Sequence, residues 1–256
     1  MHILALLGNA VKEEARYKVN LLGGVLALLM LYGLQFVFFD VISSFVITEE
    51  VGINWFLIFF MTYALGGLLV SFFSSAIAGF FRQLTQGRVD VLLVRPVNLF
   101  VLILFRWCQV YYLWVALLLI VFFVLSGKIN FEPFLMSAVN TLVYIVCLVV
   151  GVLASIAFIL TLNSFSFITQ RDLPVDYIHS SIFTFALLPA AFYSKVVLYF
   201  FVATLPMIVF ASVALDGLYN GLTPFVLIYF FAVIIALCLA IKVVYGLFNR
   251  FDSVGG

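Results

Sequence analysis

Asp176 and His179 are the side chains in this sequence best placed for acid–base chemistry. Residues three apart lie on one face of a helix, so the carboxylate could orient the imidazole or share a proton with it. Ionisable groups within an apolar segment are candidates for function by default. The pair follows Arg171, Asp172 and Pro174, however, and an aspartate at a helix start complements the helix dipole. We therefore interpret the pair as a helix start at the membrane interface, with a proton relay as the alternative.

Few other residues could act as catalysts or metal ligands. The sequence has 2 histidines and 3 cysteines, and it has no His-Glu-x-x-His, Cys-x-x-Cys or Gly-x-Ser-x-Gly motif. Cys108, Cys147 and Cys238 lie within apolar stretches, where a thiol usually serves as a small packing residue. We expect no catalytic residue, no metal site and no cofactor on this chain.

A phosphate-binding loop is also missing from the sequence. Gly127-Lys128 is followed by Ile129, whereas the Gly-x-x-x-x-Gly-Lys motif continues with Ser or Thr to reach Mg²⁺. We therefore expect that the chain does not itself hydrolyse ATP.

The composition places these residues in a membrane. Hydrophobic residues make up 67% of the chain and charged residues 9%, against about 25% charged residues in soluble proteins. A small soluble domain could not cover so much apolar surface. The net charge of +1 gives no nucleic-acid footprint. We expect an all-α integral membrane protein with one domain, residues 1–256, whose spans contact lipid.

Seven uncharged stretches approach or exceed the ~20 residues that cross a bilayer as a helix. They are residues 19–39, 51–81, 107–127, 133–170, 177–194, 196–215 and 217–241. Seven spans would put the two basic ends of the chain on opposite sides. Because the short fifth and sixth stretches contain Pro189 and Pro206, we predict that one of them, the sixth, forms a re-entrant hairpin in the outer leaflet. Six transmembrane helices remain.

Basic residues in the connecting segments predict the orientation. With the N-terminus in the cytoplasm, most of the basic residues lie inside: Lys12, Arg16, Lys18, Arg82, Arg88, Arg95, Arg171, Lys242 and Arg250. Outside are Lys128 and Lys195, among acidic residues such as Glu132. Both termini are therefore expected in the cytoplasm.

The N-terminal segment has the pattern of an amphipathic helix. Its apolar face comprises Ile3, Leu7, Ala10, Val11 and Ala15, opposite Lys12, Glu13 and Arg16. This pattern is typical of a helix that lies in the membrane interface.

The longest polar segment between spans covers residues 81–98 and mixes charges with Val91, Leu92 and Leu93. Gly87 can end one helix, and Pro96 can begin the next. A short amphipathic helix here could place its apolar side in the groove of a soluble partner. The alternative is an ordinary charged loop at the interface.

Residues 87–97 of this segment, Gly-Arg-Val-Asp-Val-Leu-Leu-Val-Arg-Pro-Val, resemble the signature of ABC-2 type transport permeases, in the branch of small six-span bacterial subunits. The resemblance extends over nearly the whole chain, although outside this motif it concerns mainly topology. It implies a cytoplasmic coupling helix between spans two and three that docks on an ATPase, and an outer re-entrant hairpin between spans five and six. The implied docking residues are Arg82, Gly87, Arg88, Asp90, Leu92, Leu93, Arg95 and Pro96.

The resemblance also implies partners and a location. Two copies of an ABC ATPase subunit would bind ATP and Mg²⁺, and a second permease chain, identical or homologous, would complete the transporter. The expected function is export across the bacterial cytoplasmic (inner) membrane by alternating conformations. The substrate stays open.

The third span has an aromatic and partly polar start. Gln109, Tyr111, Tyr112 and Trp114 could line a translocation path, although helix packing and interfacial anchoring also explain them. Arg106 precedes them and is interpreted as a snorkelling residue or as the partner of an acid such as Asp90.

Two other functions remain as alternatives to a permease. An intramembrane enzyme would depend on Asp176, His179 and Arg106. A channel or scaffold would work without an ATPase and would not need Arg88 or Asp90.

Overall fold

The computed structural model describes residues 2–43, 45, 52–89 and 98–251, and all regular elements within these ranges are helices. The main helices are α1 (His2–Arg16), α2 (Lys18–Ser43), α3 (Ile53–Thr85), α4 (Leu99–Phe105), α5 (Tyr111–Leu125), α6 (Ala138–Ser164), α7 (Val175–Phe183), α8 (Lys195–Thr204), α9 (Phe210–Asn220) and α10 (Pro224–Phe248). Short helices Glu132–Met136 and Ser166–Thr169, and 3₁₀ turns Thr184–Leu187, Ala190–Phe192 and Pro206–Ile208, connect them.

Four helices are long and apolar enough to cross a membrane: Lys18–Ser43, Ile53–Thr85, Ala138–Thr169 and Pro224–Phe248. They correspond to the first, second, fourth and last of the stretches predicted to cross. α3 is the central helix of the bundle, whereas most of α2 lies on the surface with apolar side chains such as Met30 and Leu34 exposed. Lipid is the solvent that such a surface requires.

Polar contacts mark the two ends of the bundle. At one end Lys128 Nζ lies 3.1 Å from Asp40 Oδ2, and the Asn130 N–H donates to Asn54 Oδ1 at 2.7 Å. We call this the outer end, following the predicted orientation. The opposite, inner end carries Arg82.

The helical run that leads into the third predicted span is interrupted. α4 ends at Phe105, and the single helix within the predicted stretch 107–127, α5, begins at Tyr111, after a break at residues 106–110. Neither Pro nor Gly explains the break. Backbone N–H groups at the break donate to side chains of other helices instead. The Gln109 N–H donates to Ser75 Oγ at 3.0 Å, and the Tyr111 N–H donates to Glu14 Oε2 at 3.1 Å.

The segment between α7 and α10 enters the bundle and returns. α8 has 10 residues and α9 has 11, which is about 15 Å of helix each and half of a hydrocarbon core. Gly217 near the end of α9 packs on Val143 and Cys147, while Phe210 at its start packs on Gly151 in the middle of α6. The turn between α8 and α9 therefore lies beside the part of α6 just beyond its middle, near Ala154, and α9 runs back from it to the outer end.

The core lies where α3, α6 and α9 meet. The ring of Phe210 fills the space left by Gly66 on α3 and Gly151 on α6. Glycines at such positions allow membrane helices to approach closely.

α1 packs beside this bundle with one face. Leu7 and Ala10 contact a small cluster that includes Phe72, Ala76 and Cys108. Val11, which was assigned to the same face, is 45% exposed. The part of the apolar face that contacts protein is therefore narrower than the whole apolar stripe of the sequence.

Candidate functional site

The docking segment predicted from the sequence begins at the inner end of α3. Arg82 lies in the last turn of this helix. Asp90, Leu92, Leu93, Arg95 and Pro96 lie outside the residues that the structure describes. Of this segment, the structure therefore describes only the residues up to Val89.

Gly87 ends α3 through a defined backbone motif. Its φ of 69° is left-handed, which glycine adopts without a steric penalty. The Gly87 N–H donates to the Leu84 carbonyl at 2.9 Å, and the Arg88 N–H donates to the Gln83 carbonyl at 3.0 Å. These two bonds are those of a Schellman motif. The prediction that Gly87 stops a helix is confirmed, and Val89 beyond it is fully buried.

Arg82 connects this helix end to a second element. Its Nε lies 3.7 Å from Asp172 Oδ2, in the loop that precedes α7, and both side chains are more than half exposed. Such an exposed pair contributes little stability, up to ~1 kcal/mol. It does link the start of the docking segment to α7.

A polar cavity of about 500 Å³ opens beside this ion pair, between α3, the break before α5, and α7. We call it the inner cavity. Its polar lining includes Ser71, Ser74, Ser75, Gln109, Asp176 and His179. The Ser74 hydroxyl donates to Asp176 Oδ1 at 2.8 Å.

Asp176 and His179 both line this cavity without bonding to each other. Asp176 lies in the first turn of α7, as the helix-start interpretation predicted, and its described bond is to Ser74. His179 is 8% exposed, and its Nε2 has no hydrogen-bond partner among the described residues. Its ring stacks on Phe183 with the centroids 5.3 Å apart. Both side chains therefore form part of the cavity wall, and no hydrogen bond joins the carboxylate of Asp176 to the imidazole of His179.

The predicted path residues are partly brought together. Gln109 and Tyr112 line the inner cavity. Gln109 and Tyr111 also line a second cavity of about 530 Å³ against α1 and α2, which we call the side cavity. Trp114 is 57% exposed and lines neither of these cavities. Gln109, Tyr111 and Tyr112 therefore line polar cavities, whereas Trp114 lies on the surface of the bundle.

Arg106 pairs with an acid, as one of the two interpretations predicted. Its Nη1 lies 3.6 Å from Glu13 Oε1 on α1, and its guanidinium lies 5.3 Å from the centroid of the Trp107 ring. Asp90, the acid named from the sequence, is outside the described residues.

Glu14 is a site residue that the sequence analysis missed. Its carboxylate accepts the N–H of Tyr111 at the start of α5, a position where a negative charge stabilises the helix. Burial raises the pKa of this carboxyl, and bonds from the Val110 and Tyr111 backbone partly offset the rise. The spacing of Leu7, Ala10 and Glu14 along one helix face was the available signal.

Comparison with known proteins supports the interpretation of the chain as a membrane permease. The sequence model of the family described as ABC-2 family transporter protein matches residues 26–251 of this chain. No curated protein matches the chain, and no solved structure does. The match covers most of the sequence and includes the motif at 87–97, the interrupted third span and the hairpin of α8 and α9. The chain therefore belongs to the ABC-2 family of transporter proteins and is a membrane permease of that family.

Proposed function

We propose that this chain is the membrane-spanning subunit of an ATP-driven exporter whose ATPase is a separate protein. The observation that carries the proposal is the family match over residues 26–251, together with the signature motif that follows the end of α3. Members of this family work with an ABC ATPase in general. The sequence has no phosphate-binding loop of its own.

The position of the motif supports its role as a coupling element. α3 has 33 residues, about 50 Å of helix, and most of it is buried in the bundle. Gly87 turns the chain sharply at the end of this helix, and the buried side chain of Val89 fixes the turn against the bundle. A push on the segment after Gly87 would therefore act on the central helix, and through Arg82 and Asp172 on α7 as well. ATP-driven closure of two ATPase subunits would supply this push.

The helix arrangement is consistent with six crossings. They would be α2, α3, the pair α4 and α5, α6, α7 with its 3₁₀ turns, and α10. The short helices α8 and α9 would form the outer re-entrant hairpin, since α9 runs back to the outer end from a turn within the bundle. Six crossings keep both termini in the cytoplasm of a bacterial inner-membrane protein. A second permease chain, identical or homologous, would complete the path.

Co-purification tests this proposal. The tagged chain would be purified in mild detergent from its native host, and the proteins that come with it would be identified. We expect a soluble chain bearing a phosphate-binding loop, lost in Asp90→Arg and in the Leu92→Asp, Leu93→Asp double variant. These changes place a charge where the ATPase groove needs the opposite charge or an apolar contact.

Glu132→Arg is the matched control, because it reverses one charge at the other end of the bundle. This variant should retain the ATPase at normal stoichiometry. A chain that purifies alone, under conditions where a known transporter complex stays intact, would contradict the proposal. Retention of the ATPase by the Asp90 variant would refute the docking assignment alone.

A further inference from the structure

The side cavity lies at the inner end of the bundle, where it opens to the surface. Its walls are the second half of α1, the first turns of α2 and the break before α5. Asp40, near the other end of α2, lies at the outer end, so the start of α2 lies at the inner end. Arg16, Tyr17 and Asn20 line the cavity and are exposed. Because basic residues and tyrosine favour this depth of a membrane, the cavity lies at the level of the inner-leaflet head groups.

Two side chains on its walls are hydrogen-bond donors without partners. Arg16 has no acid within ion-pair distance among the described residues, and the Asn20 amide has no hydrogen bond to any of them. A guanidinium and an amide both donate N–H groups, and phosphate oxygens accept them. Arg16 ends α1 and Asn20 lies in the first turn of α2, so one phosphate would connect the two helices.

Charges of both signs surround the same cavity. They are Glu13, Glu14 and Arg16 on its wall, and Arg106 at 3.6 Å from Glu13. These charges cancel, so an anionic lipid gains no net attraction here, although basic membrane edges usually favour one. Glu14 already accepts the N–H of Tyr111, whereas 56% of the Glu13 side chain is exposed and open to a cationic donor. The wall therefore complements a zwitterion.

An apolar surface of α2 continues from the cavity toward the outer end. Leu31, Leu34 and Phe38 are exposed. They lie on the same face of α2 as Asn20, since Leu31 follows Asn20 by about three helical turns. Acyl chains attached to a head group in the side cavity would lie along this face, so the features fit a phospholipid better than a free head group.

From these features we infer that the side cavity binds a phospholipid whose zwitterionic head group carries a primary ammonium, as in phosphatidylethanolamine. Arg16 and Asn20 donate to the phosphate, and Glu13 accepts an N–H from the ammonium. The acyl chains cover the exposed face of α2. The lipid joins α1 to α2 beside the break before α5, a role that goes beyond the proposed transport function and does not involve the ATPase.

Lipid competition measured by native mass spectrometry tests this site. The full chain would be purified in mild detergent and incubated with equal amounts of dioleoyl phosphatidylethanolamine, phosphatidylcholine and phosphatidylglycerol. We expect about fivefold more bound phosphatidylethanolamine than either of the others, the effect of one partly exposed ion pair. Phosphatidylcholine has no ammonium N–H, and phosphatidylglycerol has no positive charge. Equal binding of the three lipids, or a preference for phosphatidylglycerol, would overturn the inference.

Substitution of Arg16 tests the phosphate contact. Arg16→Gln should lower the amount of bound phosphatidylethanolamine about fivefold, because it removes the charged partner of the phosphate. Lys18→Gln is the matched control, since it removes a neighbouring cation that does not line the cavity, and it should leave binding unchanged. An equal loss in both variants, or no loss in Arg16→Gln, would refute the site.

Substitution of Glu13 tests the ammonium contact. Glu13→Gln should remove the preference for phosphatidylethanolamine over phosphatidylglycerol. Because this change also breaks the ion pair with Arg106, Asn20→Ala provides a second measurement at an exposed position of α2. It should weaken phosphatidylethanolamine binding without lowering the Tm of the lipid-free chain. Unchanged binding in both variants would contradict the assigned contacts.

Soluble glycerophosphoethanolamine distinguishes the lipid from its head group. At equal concentration it should not displace the lipid, because it lacks acyl chains; displacement would assign the cavity to a free head group instead. The measurement uses the permease chain alone, so its outcome is separate from that of the co-purification. A chain that retains its ATPase but shows no lipid preference would refute only this site.

Discussion

Phe210 shows how single residues set the spacing of the central helices. Its side chain lies between Gly66 of α3 and Gly151 of α6, in a space that only glycines leave open. In a membrane, small residues take over the role that burial of apolar surface has in water, because lipid tails are as apolar as the helix surfaces. The tight contact at this position therefore stabilises the α3–α6–α9 core.

Gly151→Ala tests this contact. A Cβ at this position would lie 2.5 Å from the Cβ of Phe210, which cannot swing away as a ring could. We expect destabilisation of about 1–3 kcal/mol from overpacking, seen as a lower Tm of the detergent-solubilised protein. Gly246→Ala is the control, since nothing lies within 4 Å of a Cβ there. An unchanged Tm in Gly151→Ala would contradict the packing described.

At the scale of elements, α1 holds the interrupted third span together. Glu14 accepts the N–H that begins α5, and Glu13 lies 3.6 Å from Arg106 in the break itself. The apolar side of α1 covers Cys108 at the same place. An N-terminal helix predicted to rest on the membrane is thus also a structural part of the bundle, because the break exposes backbone donors that need an acceptor.

Replacing Glu14 by Gln should change the pH dependence of stability. Burial raises the pKa of Glu14 above its ordinary value of 4.5, so proton binding favours the folded state. The stability from this proton is fully present below the ordinary value and is lost as the pH rises through the raised pKa. The Tm of the wild-type chain relative to Glu14→Gln should therefore be higher at acid pH than at neutral pH.

The measurement is a thermal unfolding series in buffered detergent across this pH range. Glu132→Gln is the matched control, because it removes one carboxylate at the outer end of the bundle and leaves Glu14 in place. That variant should keep the wild-type pH dependence of Tm. A Tm of the wild-type chain relative to Glu14→Gln that increases as the pH rises would show that burial of Glu14 does not govern the site.

At the scale of the whole molecule, the fold is a bundle with a polar surface at each end and apolar side chains exposed between them. Asp40, Lys128 and Asn130 lie at one end and Arg82 and Asp172 at the other. The α8–α9 hairpin fills the outer half of the core, while the inner cavity opens toward the other end. The two ends of the bundle therefore differ in what lies beside α3: the α8–α9 hairpin toward the outer end, and the polar inner cavity toward the inner end.

Position-specific labelling distinguishes six crossings from seven. Lys128→Cys and Lys195→Cys, in a chain whose native cysteines are replaced by Ser, should react with a membrane-impermeant maleimide applied from outside. Arg171→Cys should react only after the membrane is opened, because it precedes α7 at the inner end. Seven crossings would place Lys195 inside, so a protected cysteine at that position would refute the six-span arrangement.

Much of this site could be anticipated from local sequence. Gly87 as a helix stop, Asp176 in the first turn of α7 and the placement of Gln109, Tyr111 and Tyr112 around polar cavities follow from residue type and position. The first two depend on local propensity, which acts over a few residues, whereas the cavities around the three aromatic and polar residues are formed by helices that are distant in the sequence. The docking residues from Asp90 to Pro96 stay predictions, since they lie outside the described residues.

The sequence by itself determined the membrane setting, the helical class and the family, because lipid requires long apolar helices and the motif at 87–97 is continuous in the chain. Only the tertiary structure decided the break before α5, the pairing of Arg106 with Glu13, the contact of Glu14 with Tyr111 and the outward position of Trp114. Each of these depends on which distant segment lies opposite a given helix face. Apolar helix faces look alike in sequence, so the choice between them is made by packing and by the need to satisfy buried polar groups.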